Sequence, residues 1–326
     1  MSDAAGPRPP RAEDPVVAAL LSRCDFAPAG TAVTCAVSGG ADSSALLALA
    51  VAAGLRVTAV HVDHGLRAGS HLEAGSVRAL ADAWGTSFRA ERVVVADGPD
   101  LEARARAARR GVLPDDALHG HTADDQAETV LLRLMRGTGP SGLAAMRPAT
   151  HPLLGLRRAD TLMLCAHLGV VPFEDPTNLD GRFRRNRVRH EVLPLLDDVA
   201  GRDVVPLLCR LADLAAADAA LIDALASALD PTDAASLAGA PPAVAAAAWR
   251  RWWTDTTGLV HPPDRAATER VLAVARGGVR SCDVVDGWRV ARTAGRLRLE
   301  HRGPTGAERA GPMVECRDDG ANVGPR

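Results

Sequence analysis

Apolar runs alternate with amphipathic stretches along residues 15–137. β-Branched apolar runs at 31–37, 56–63 and 87–95 predict buried strands, and 116–121 predicts a short fourth strand. Between them, apolar residues with helical spacing predict helices over residues 15–24, 41–54, 70–85, 100–110 and 123–137. Strands that alternate with helices predict an α/β fold, namely a Rossmann-like parallel sheet with helices on both faces.

The pattern changes after residue 200. Long amphipathic stretches at 204–230 and 241–258 predict two helices, and 284–302 alternates apolar and polar residues around a turn, which predicts a β-hairpin. We therefore expect a smaller helical or α+β domain at the C-terminal end. The expected organisation is a disordered leader (1–14), a catalytic domain (15–200), a substrate-binding domain (201–302) and a disordered tail (303–326).

Composition narrows the function classes. A hydrophobic fraction of 47% with 24% charged residues is globular, and a net charge of −2 does not by itself indicate a polyanion partner. All 38 basic residues are arginines, so guanidinium groups must bind any phosphate. The six cysteines form no C-x-x-C pair, which argues against a disulfide framework or a compact zinc site. Neither a signal segment nor an 18-residue apolar run is present, so we expect a cytoplasmic protein without a membrane partner.

A glycine pair connects the first predicted strand to the next helix. Backbone N–H groups in such a turn can surround an anion at the helix N-terminus, and Asp42 can help to place Mg²⁺. A glycine turn with Asp and Ser capping the helix explains the same residues. It is not a Walker loop, because the lysine is absent. The candidate phosphate-binding residues are Ser38, Gly39, Gly40, Ala41, Asp42 and Ser43.

Three acids and a histidine follow the fourth predicted strand. Residues His121, Asp124, Asp125 and Glu128 have the spacing i, i+3, i+4, i+7, which places them on one helical face. Clustered carboxylates suit metal binding and proton removal. Acids that oppose the helix dipole would explain Asp124 alone. Segments 38–43, 63–67 and 121–125 all follow strands, and we group them as one site because ligands bind at the carboxyl ends of parallel strands.

Arginine and tryptophan groups are less specific. Arg106 and Arg109 share one side of a predicted helix, where a charged face is ordinarily solvated. A second basic run, 182–189, can contact phosphates. Two further sets lie in the C-terminal region: Trp249, Trp252 and Trp253, for which core packing is favoured over base stacking, and Arg289, Arg292, Arg296 and Arg298, which fit a tRNA-binding patch or a solvated face equally well.

Five segments together resemble one family. The S-G-G-x-D-S turn resembles the PP-loop of the N-type ATP pyrophosphatases. Residues 61–67 (HVDHGLR), 102–109 (EARARAAR), 120–146 (GHTADDQAET…RGTG…GLAAM) and 174–194 (EDPTN…RNRVR…LP) resemble motifs of the tRNA(Ile)-lysidine synthases. The resemblance is to the short form of that family, without its extra C-terminal domain.

The resemblance implies an adenine nucleotide alpha hydrolase-like fold and a ligase that forms a carbon–nitrogen bond. Its expected substrates are ATP, L-lysine and a tRNA(Ile) with a CAU anticodon, with Mg²⁺ as cofactor; a homodimer is allowed. The lysine joins C2 of the wobble cytidine through an adenylated intermediate. The implied catalytic residues are Asp42, His121, Asp124, Asp125, Arg109 and Arg189.

Other roles follow from the same resemblance. Asp42 and Asp125 are the expected metal ligands, and either Asp124 or Asp125 is the proton acceptor or metal ligand. Asp63 and His64 join residues 38–43 in the nucleotide pocket. The expected substrate or tRNA contacts are Arg106, Glu128, Arg185 and Asn186.

The chain departs from the family pattern in two places. The connection between Arg110 and His121 is short, and a hairpin is missing after Met146, where His151 replaces the usual arginine of R-P-L-L. Three alternatives remain. One is a PP-loop tRNA thiolase, although the cysteine pair usual in that class is missing here, and another is an amidating synthetase, although no glutaminase or ammonia channel is visible. The third, which the two shortened segments allow, is a catalytically degenerate nucleotide- or tRNA-binding relative.

Overall fold

The computed structural model describes residues 6–63, 70–93, 111–173, 180–259 and 262–302. The chain divides into two compact units, Met1–Ala219 and Ala220–Arg326. The sequence-based domain limits of 15–200 and 201–302 stay a prediction.

A four-stranded parallel sheet forms the centre of the first unit. Its strand order is β3-β2-β1-β4, and Ala32 lies opposite Arg56 while Cys35 lies opposite Leu118. The strands are β1 (Ala32–Ala36), β2 (Arg56–Asp63), β3 (Ser87–Arg92) and β4 (Leu118–His119). The expected parallel sheet of an α/β fold is confirmed.

Nine α-helices of this unit have both limits among the described residues, and the last of them extends into the second unit. They are α1 (Pro15–Leu21), α2 (Ala41–Ala52), α3 (Ser70–Ala83), α4 (Ala123–Leu134), α5 (Pro140–Leu143), α6 (Arg158–Leu168), α7 (Arg184–Arg187), α8 (Leu193–Ala200) and α9 (Val205–Ser227). The boundary between the two units falls within α9. Helices α5 to α8 were not predicted from the sequence, and the predicted helix 100–110 lies outside the described residues.

Helix α2 is the most buried helix of the first unit because apolar residues surround it on every side. Leu46, Leu47 and Leu49 are fully buried, and the small side chains of Ala45 and Ala48 allow close approach. The helix packs against α1, α6 and the sheet. Since this helix begins directly after the glycine pair, its packing fixes the position of the candidate phosphate loop.

The strand order creates a switch point at the carboxyl end of β1. The chain proceeds from β1 to β2 and β3 on one side, and then returns to place β4 on the other side of β1. In open parallel sheets, ligands bind in the crevice at such a reversal. Residues 38–43 follow β1 and His121 follows β4 closely, so both segments lie at this crevice.

The N-terminal segment differs from the expected disordered leader. The Arg8 amide donates to the Leu168 carbonyl at 2.8 Å, and the Trp84 indole donates to the Arg8 carbonyl at 3.0 Å. Asp14 caps α1 and pairs with His167. Residues 6–14 are therefore held against the first unit, because backbone groups in this proline-rich stretch find partners on α6 and on Trp84, which directly follows α3.

The second unit combines helices with a small antiparallel sheet. Its described elements are α10 (Ala234–Gly239), α11 (Pro242–Thr257), α12 (Arg265–Ala275), β5 (Ser281–Asp283), β6 (Trp288–Thr293) and β7 (Arg296–His301), with sheet order β5-β6-β7. The predicted hairpin is present as β6 and β7. Helices α10 and α12 and strand β5 were not predicted.

The tryptophan cluster of α11 forms the core of the second unit. Trp249 and Trp253 are fully buried, and Trp252 packs beside them at partial exposure. The Trp249 ring lies 5.6 Å from that of Trp252 and 5.7 Å from that of Trp253. This supports core packing over base stacking. Within the described part of the chain, none of the helices has the length and apolar character needed to cross a membrane.

Candidate active site at the sheet switch point

The segment 38–43 forms a closed turn between β1 and α2. The Ser43 hydroxyl donates to the Gly40 carbonyl at 3.0 Å and accepts from the Ser38 amide at 3.1 Å. Gly39 has a φ of 90°, a backbone conformation that side chains with a Cβ rarely adopt. The Gly39 carbonyl accepts from the Phe173 amide at 2.9 Å. Hydrogen bonds of its own serines therefore shape the turn, and a hydrogen bond from the Phe173 backbone fixes its position.

The first turn of α2 remains available to an anion. Among the described residues, no side chain caps this helix, whose N-cap residue is Gly40. The Asp42 carboxylate does not cap it, since it accepts from the Thr161 hydroxyl and pairs with Arg158. Uncapped N–H groups at a helix N-terminus favour a phosphate. The phosphate-cradle interpretation is thus favoured over the capped turn.

Gly120 brings the end of β4 against the start of α2. A Cβ at this position would lie 2.5 Å from the Asp42 carbonyl oxygen and 2.9 Å from the Ser43 nitrogen. Such distances are well inside van der Waals contact, and the obstructing atoms are backbone. Gly120 is therefore required so that the phosphate loop and the acidic helix α4 meet.

The start of α4 is organised by a capping box. The Asp125 Oδ2 accepts from the Thr122 amide at 3.0 Å and from its hydroxyl at 3.2 Å. The other carboxylate oxygen of Asp125 accepts from Arg158 at 3.1 Å and from Arg185 at 3.0 Å. One carboxylate oxygen of Asp125 thus contacts two guanidinium groups, while the other oxygen fixes the start of the helix that carries this residue.

Glu128 is the most deeply buried charged group of the site. Its side chain is 0% exposed, and it accepts from Arg185 Nε and from Arg189 Nε, each at 2.6 Å. Arg158 lies 3.6 Å from the same carboxylate. A buried carboxylate stays ionised only with such charged partners, because the free-energy cost of removing its charge from water otherwise favours the protonated form.

A π-helical turn contains one of those arginines and directly follows the helical turn that contains the other. Helix α7 continues through a π-helical stretch at Val188–Val192 into α8, where Pro194 has no amide to donate. Widened turns of this kind are frequent at functional sites. Here the irregular turn contains Arg189 and directly follows the turn with Arg185.

Two arginines that the sequence analysis did not assign complete the cluster. Arg157 donates through Nε and a terminal nitrogen to both oxygens of Asp124, at 3.0–3.2 Å, and also pairs with Asp203. Arg158 contacts Asp42 and Asp125. The available signal was an Arg-Arg pair shortly after residues 151–154 (HPLL), which stand where the family's R-P-L-L is expected.

Comparisons with known proteins agree with this geometry. A PP-loop domain family matches residues 18–196. The tRNA(Ile)-lysidine synthase of Nocardia farcinica is 44% identical over 297 residues, which cover 84% of this chain and 93% of that protein. The chain belongs to the tRNA(Ile)-lysidine synthase family.

Further members of the lysidine synthase family are similarly close. The protein of Mycolicibacterium paratuberculosis is 49% identical over 223 residues, covering 65% of this chain and 68% of its own length. The protein of Mycobacterium leprae is 41% identical over 279 residues, covering 78% and 86%. The expected family and its ligase class are confirmed, and the PP-loop domain supports the use of ATP. The thiolase and amidating-synthetase alternatives are thereby superseded.

The two adjacent acids of the lysidine synthase motif differ in their surroundings. Burial opposes ionisation of Asp124, but hydrogen bonds from Arg157 and from the Arg158 amide outweigh it and lower its pKa. Burial likewise opposes ionisation of Asp125, but the charges of Arg185 and Arg158 lower its pKa. In contrast, burial raises the pKa of Asp42. Asp124 accepts from the backbone at the start of α6. Asp125 instead shares the guanidinium of Arg158 with Asp42 of the phosphate loop.

Three histidine rings lie beside these acids. The His121 ring centroid is 5.0 Å from that of His151 and 5.8 Å from that of His119. Burial lowers the pKa of His121 to about 3, although Asp125 opposes this shift, and the His121 Nδ1 is buried without a hydrogen-bond partner among the described residues. Burial also lowers the pKa of His151. Where the family usually has an arginine, this chain therefore places a neutral ring.

The remaining predicted site residues are placed as follows. Asp63 ends β2, and its carbonyl accepts from the Val93 amide. The Asn186 side chain donates to the Asp180 carbonyl at 2.9 Å, which holds the segment before α7. His64, Arg106 and Arg109 lie outside the described residues. The structure thus brings together Asp42, His121, Asp124, Asp125, Glu128, Arg185 and Arg189, next to Ser38, Gly39, Gly40, Ala41 and Ser43.

The arginines of the second-unit hairpin are largely occupied within their own unit. Arg289 donates to the Ser281 hydroxyl, Arg292 to the Ala275 carbonyl at 3.1 Å, and Arg296 to Asp230 at 2.8 Å. Arg298 is exposed. The hairpin therefore contributes fewer available cations than its sequence indicates.

Proposed function

We propose that this protein ligates L-lysine to C2 of the wobble cytidine in a tRNA(Ile) with a CAU anticodon. The C2 oxygen attacks the α-phosphorus of ATP, and the bond between the α and β phosphates breaks to release pyrophosphate. The lysine ε-amine then attacks C2, and AMP departs with the former C2 oxygen. The product is lysidine. Membership of the lysidine synthase family supports this assignment.

The observation that carries the proposal is the meeting of two motifs at one crevice. The uncapped start of α2 offers N–H groups to the β and γ phosphates, while Gly120 allows the acid and arginine cluster of α4 to approach it. Arginines of this cluster can neutralise the negative charge that develops on the leaving pyrophosphate. Both halves of an adenylation reaction are therefore present within one unit.

A magnesium ion fits the acids of this site. Mg²⁺ usually binds one or two carboxylates together with substrate phosphates. Asp42 and Asp125 contact one guanidinium, that of Arg158, so the two carboxylates face a common position suited to positive charge. No cluster of three metal-binding side chains occurs in the described ranges. Asp42 and Asp125 would therefore hold Mg²⁺ with the nucleotide phosphates, where it would offset phosphate charge.

The acids then divide their roles. A lowered pKa makes Asp124 and Asp125 weak proton acceptors. We assign Asp125 to cation binding and Asp124 to holding Arg157 and the start of α6. Glu128 orients Arg185 and Arg189 toward the site. Residues 15–200 are the proposed catalytic domain, and residues 201–302 are the proposed tRNA-binding domain.

The test is a reconstituted reaction with ATP, labelled lysine and the tRNA transcript. We expect pyrophosphate release that depends on the tRNA, and label that appears in the tRNA. A transcript with uridine at the wobble position is the matched control, and it should receive no lysine. Binding of ATP without lysine transfer to the cytidine transcript would instead indicate the catalytically degenerate relative.

A further inference from the structure

Arg158 connects the two halves of the proposed active site. Its guanidinium lies 3.5 Å from Asp42 on α2, 3.1 Å from Asp125 and 3.6 Å from Glu128, both on α4. The Arg158 amide donates to Asp124 at 2.8 Å, which fixes the backbone from which the side chain extends. One flexible side chain thus reaches three carboxylates from a fixed origin.

The three carboxylates depend on Arg158 to different degrees. Asp125 also pairs with Arg185 and Arg189, and Glu128 pairs with the same two arginines. Among the ion pairs of the described residues, Arg158 is the only cationic partner of Asp42. Arg158 is therefore the link that is specific to the acid of the phosphate loop.

The charge of the cluster leaves no excess for a phosphate chain. Arg157, Arg158, Arg185 and Arg189 face five carboxylates, those of Asp42, Asp124, Asp125, Glu128 and Asp203. Phosphates can be bound here only if an arginine leaves its carboxylates or another cation arrives. Nucleotide binding is therefore expected to bring either an exchange of ion-pair partners or a further cation to this cluster.

Arg158 is the arginine that can exchange at the lowest cost. Arg185 and Arg189 each make a 2.6 Å hydrogen bond to the fully buried Glu128, and their departure would leave that charge uncompensated. Arg157 is held by Asp124 and Asp203. The contacts of Arg158 are longer, and its side chain is 27% exposed, against 20% for Arg185 and 22% for Arg189.

We propose that Arg158 is a phosphate-binding residue that exchanges partners during nucleotide binding. In the nucleotide-free protein, its guanidinium occupies the position between Asp42 and Asp125 that a divalent cation takes in the proposed reaction. When the cation arrives with ATP, the guanidinium leaves these carboxylates and pairs with a phosphate. This inference rests on the proposed use of Asp42 and Asp125 as metal ligands.

The test measures Mn²⁺ binding to the nucleotide-free protein by electron paramagnetic resonance. We expect Arg158→Gln to bind Mn²⁺ about tenfold more tightly than wild type, because the competing cation is gone, and to raise the KM for ATP by about tenfold through the lost phosphate contact. Arg158→Lys keeps the charge and should keep weak Mn²⁺ binding. Arg157→Gln is the matched control, since Arg157 pairs with Asp124 and Asp203, and it should bind Mn²⁺ as wild type does.

Unchanged Mn²⁺ affinity in Arg158→Gln, or an equal gain in Arg157→Gln, would overturn the proposal. The double variant Arg158→Gln with Asp42→Asn should lose the gained affinity. If Arg158→Gln does not fold, Arg158→Met offers an uncharged side chain of similar length for the same measurement. Mn²⁺ binding needs neither tRNA nor lysine. A negative result for Arg158 in the Mn²⁺ measurement can therefore be distinguished from a failure of the wild-type protein to form lysidine.

Discussion

Helix α4 of the first unit and helix α11 of the second each carry three functional side chains within five consecutive positions, but the chemistry of the two sets is opposite. On α4, Asp124, Asp125 and Glu128 lie at i, i+1 and i+4; on α11, the tryptophans lie at 249, 252 and 253. Glu128 and Trp253 are both 0% exposed. The indole is buried by apolar neighbours of its own unit, whereas the carboxylate needs Arg185 and Arg189 from a segment almost sixty positions later in the chain.

The difference shows what burial requires of each residue type. The apolar ring surface of an indole gains free energy in close-packed apolar surroundings. A carboxylate loses free energy on burial unless cationic donors are placed around it with suitable geometry. The burial of α11 can therefore be predicted from local pattern, but the burial of α4 depends on distant arginines.

Replacement of Glu128 by glutamine should have the largest effect. The buried arginines would lose their shared counter-charge, so we expect the free energy of unfolding of the first unit to fall by about 3–5 kcal/mol. Pyrophosphate release should fall at least tenfold. Urea unfolding followed by circular dichroism checks the first value. Glu191→Gln, which alters an exposed pair with Arg187, is the control and should leave stability unchanged; equal stability of both variants would contradict this account of burial.

Replacement of Trp253 by alanine should destabilise as strongly without touching the active site. Loss of a fully buried indole costs about 3–5 kcal/mol through the cavity that it leaves. Below its melting temperature, the variant should bind ATP with the wild-type Kd, as measured by calorimetry. A large loss of ATP affinity in the folded variant would remove the contrast between the two helices. Trp252→Ala, at a partly exposed ring, should cost less.

Replacement of Gly120 by alanine tests whether the active site depends on the close approach of the end of β4 to the start of α2. The new Cβ would collide with the Asp42 backbone at 2.5 Å, so we expect a loss of about 1–3 kcal/mol in stability. ATP affinity should also fall by about tenfold as α2 moves away from β4. Gly75→Ala is the control because its Cβ would meet no atom within 4 Å. Wild-type ATP binding by the Gly120 variant would show that the approach is not required.

The smallest expected effect is a pH dependence confined to the first unit. His121 has a pKa of about 3 in the folded protein, and an unfolded histidine has one near 6.5, so only the unfolded chain takes up this proton between those values. Stability should therefore fall as the pH drops below about 6.5, by about 1 kcal/mol per pH unit. The tryptophan core should not share this dependence.

The variant His121→Gln should flatten that slope between pH 6.5 and 4.5. Stability measured by urea unfolding at intervals of half a pH unit gives the slope directly. His190→Gln, at an exposed ring, is the matched control and should keep the wild-type slope. An unchanged slope in His121→Gln would show that this imidazole is not buried in its neutral form.

Much of the first unit was predictable because its elements are strongly patterned. The strands at 32–36 and 56–63, and the helices that follow the glycine pair and His121, fall within two or three residues of their predicted limits. Helix α6 was not predicted, because its face against α2 is interrupted by polar residues such as Thr161, whose hydroxyl binds Asp42. The π-helical turn around Arg189 depends on packing against α4 and on Pro194, and local propensity does not indicate it.

The sequence by itself indicated the family through its motifs, and local periodicity predicted the four strands of the first unit and the helices that follow the glycine pair and His121. It also contained the residue types of the phosphate loop and the acidic helix. Only the tertiary structure decided which arginine neutralises which acid. Asp42, Asp125, Arg158 and Arg185 come from four separate segments, and their pairing depends on how α2, α4, α6 and α7 pack. Charged side chains pair when they lie within a few ångströms of each other in space. Their separation along the chain does not predict that distance.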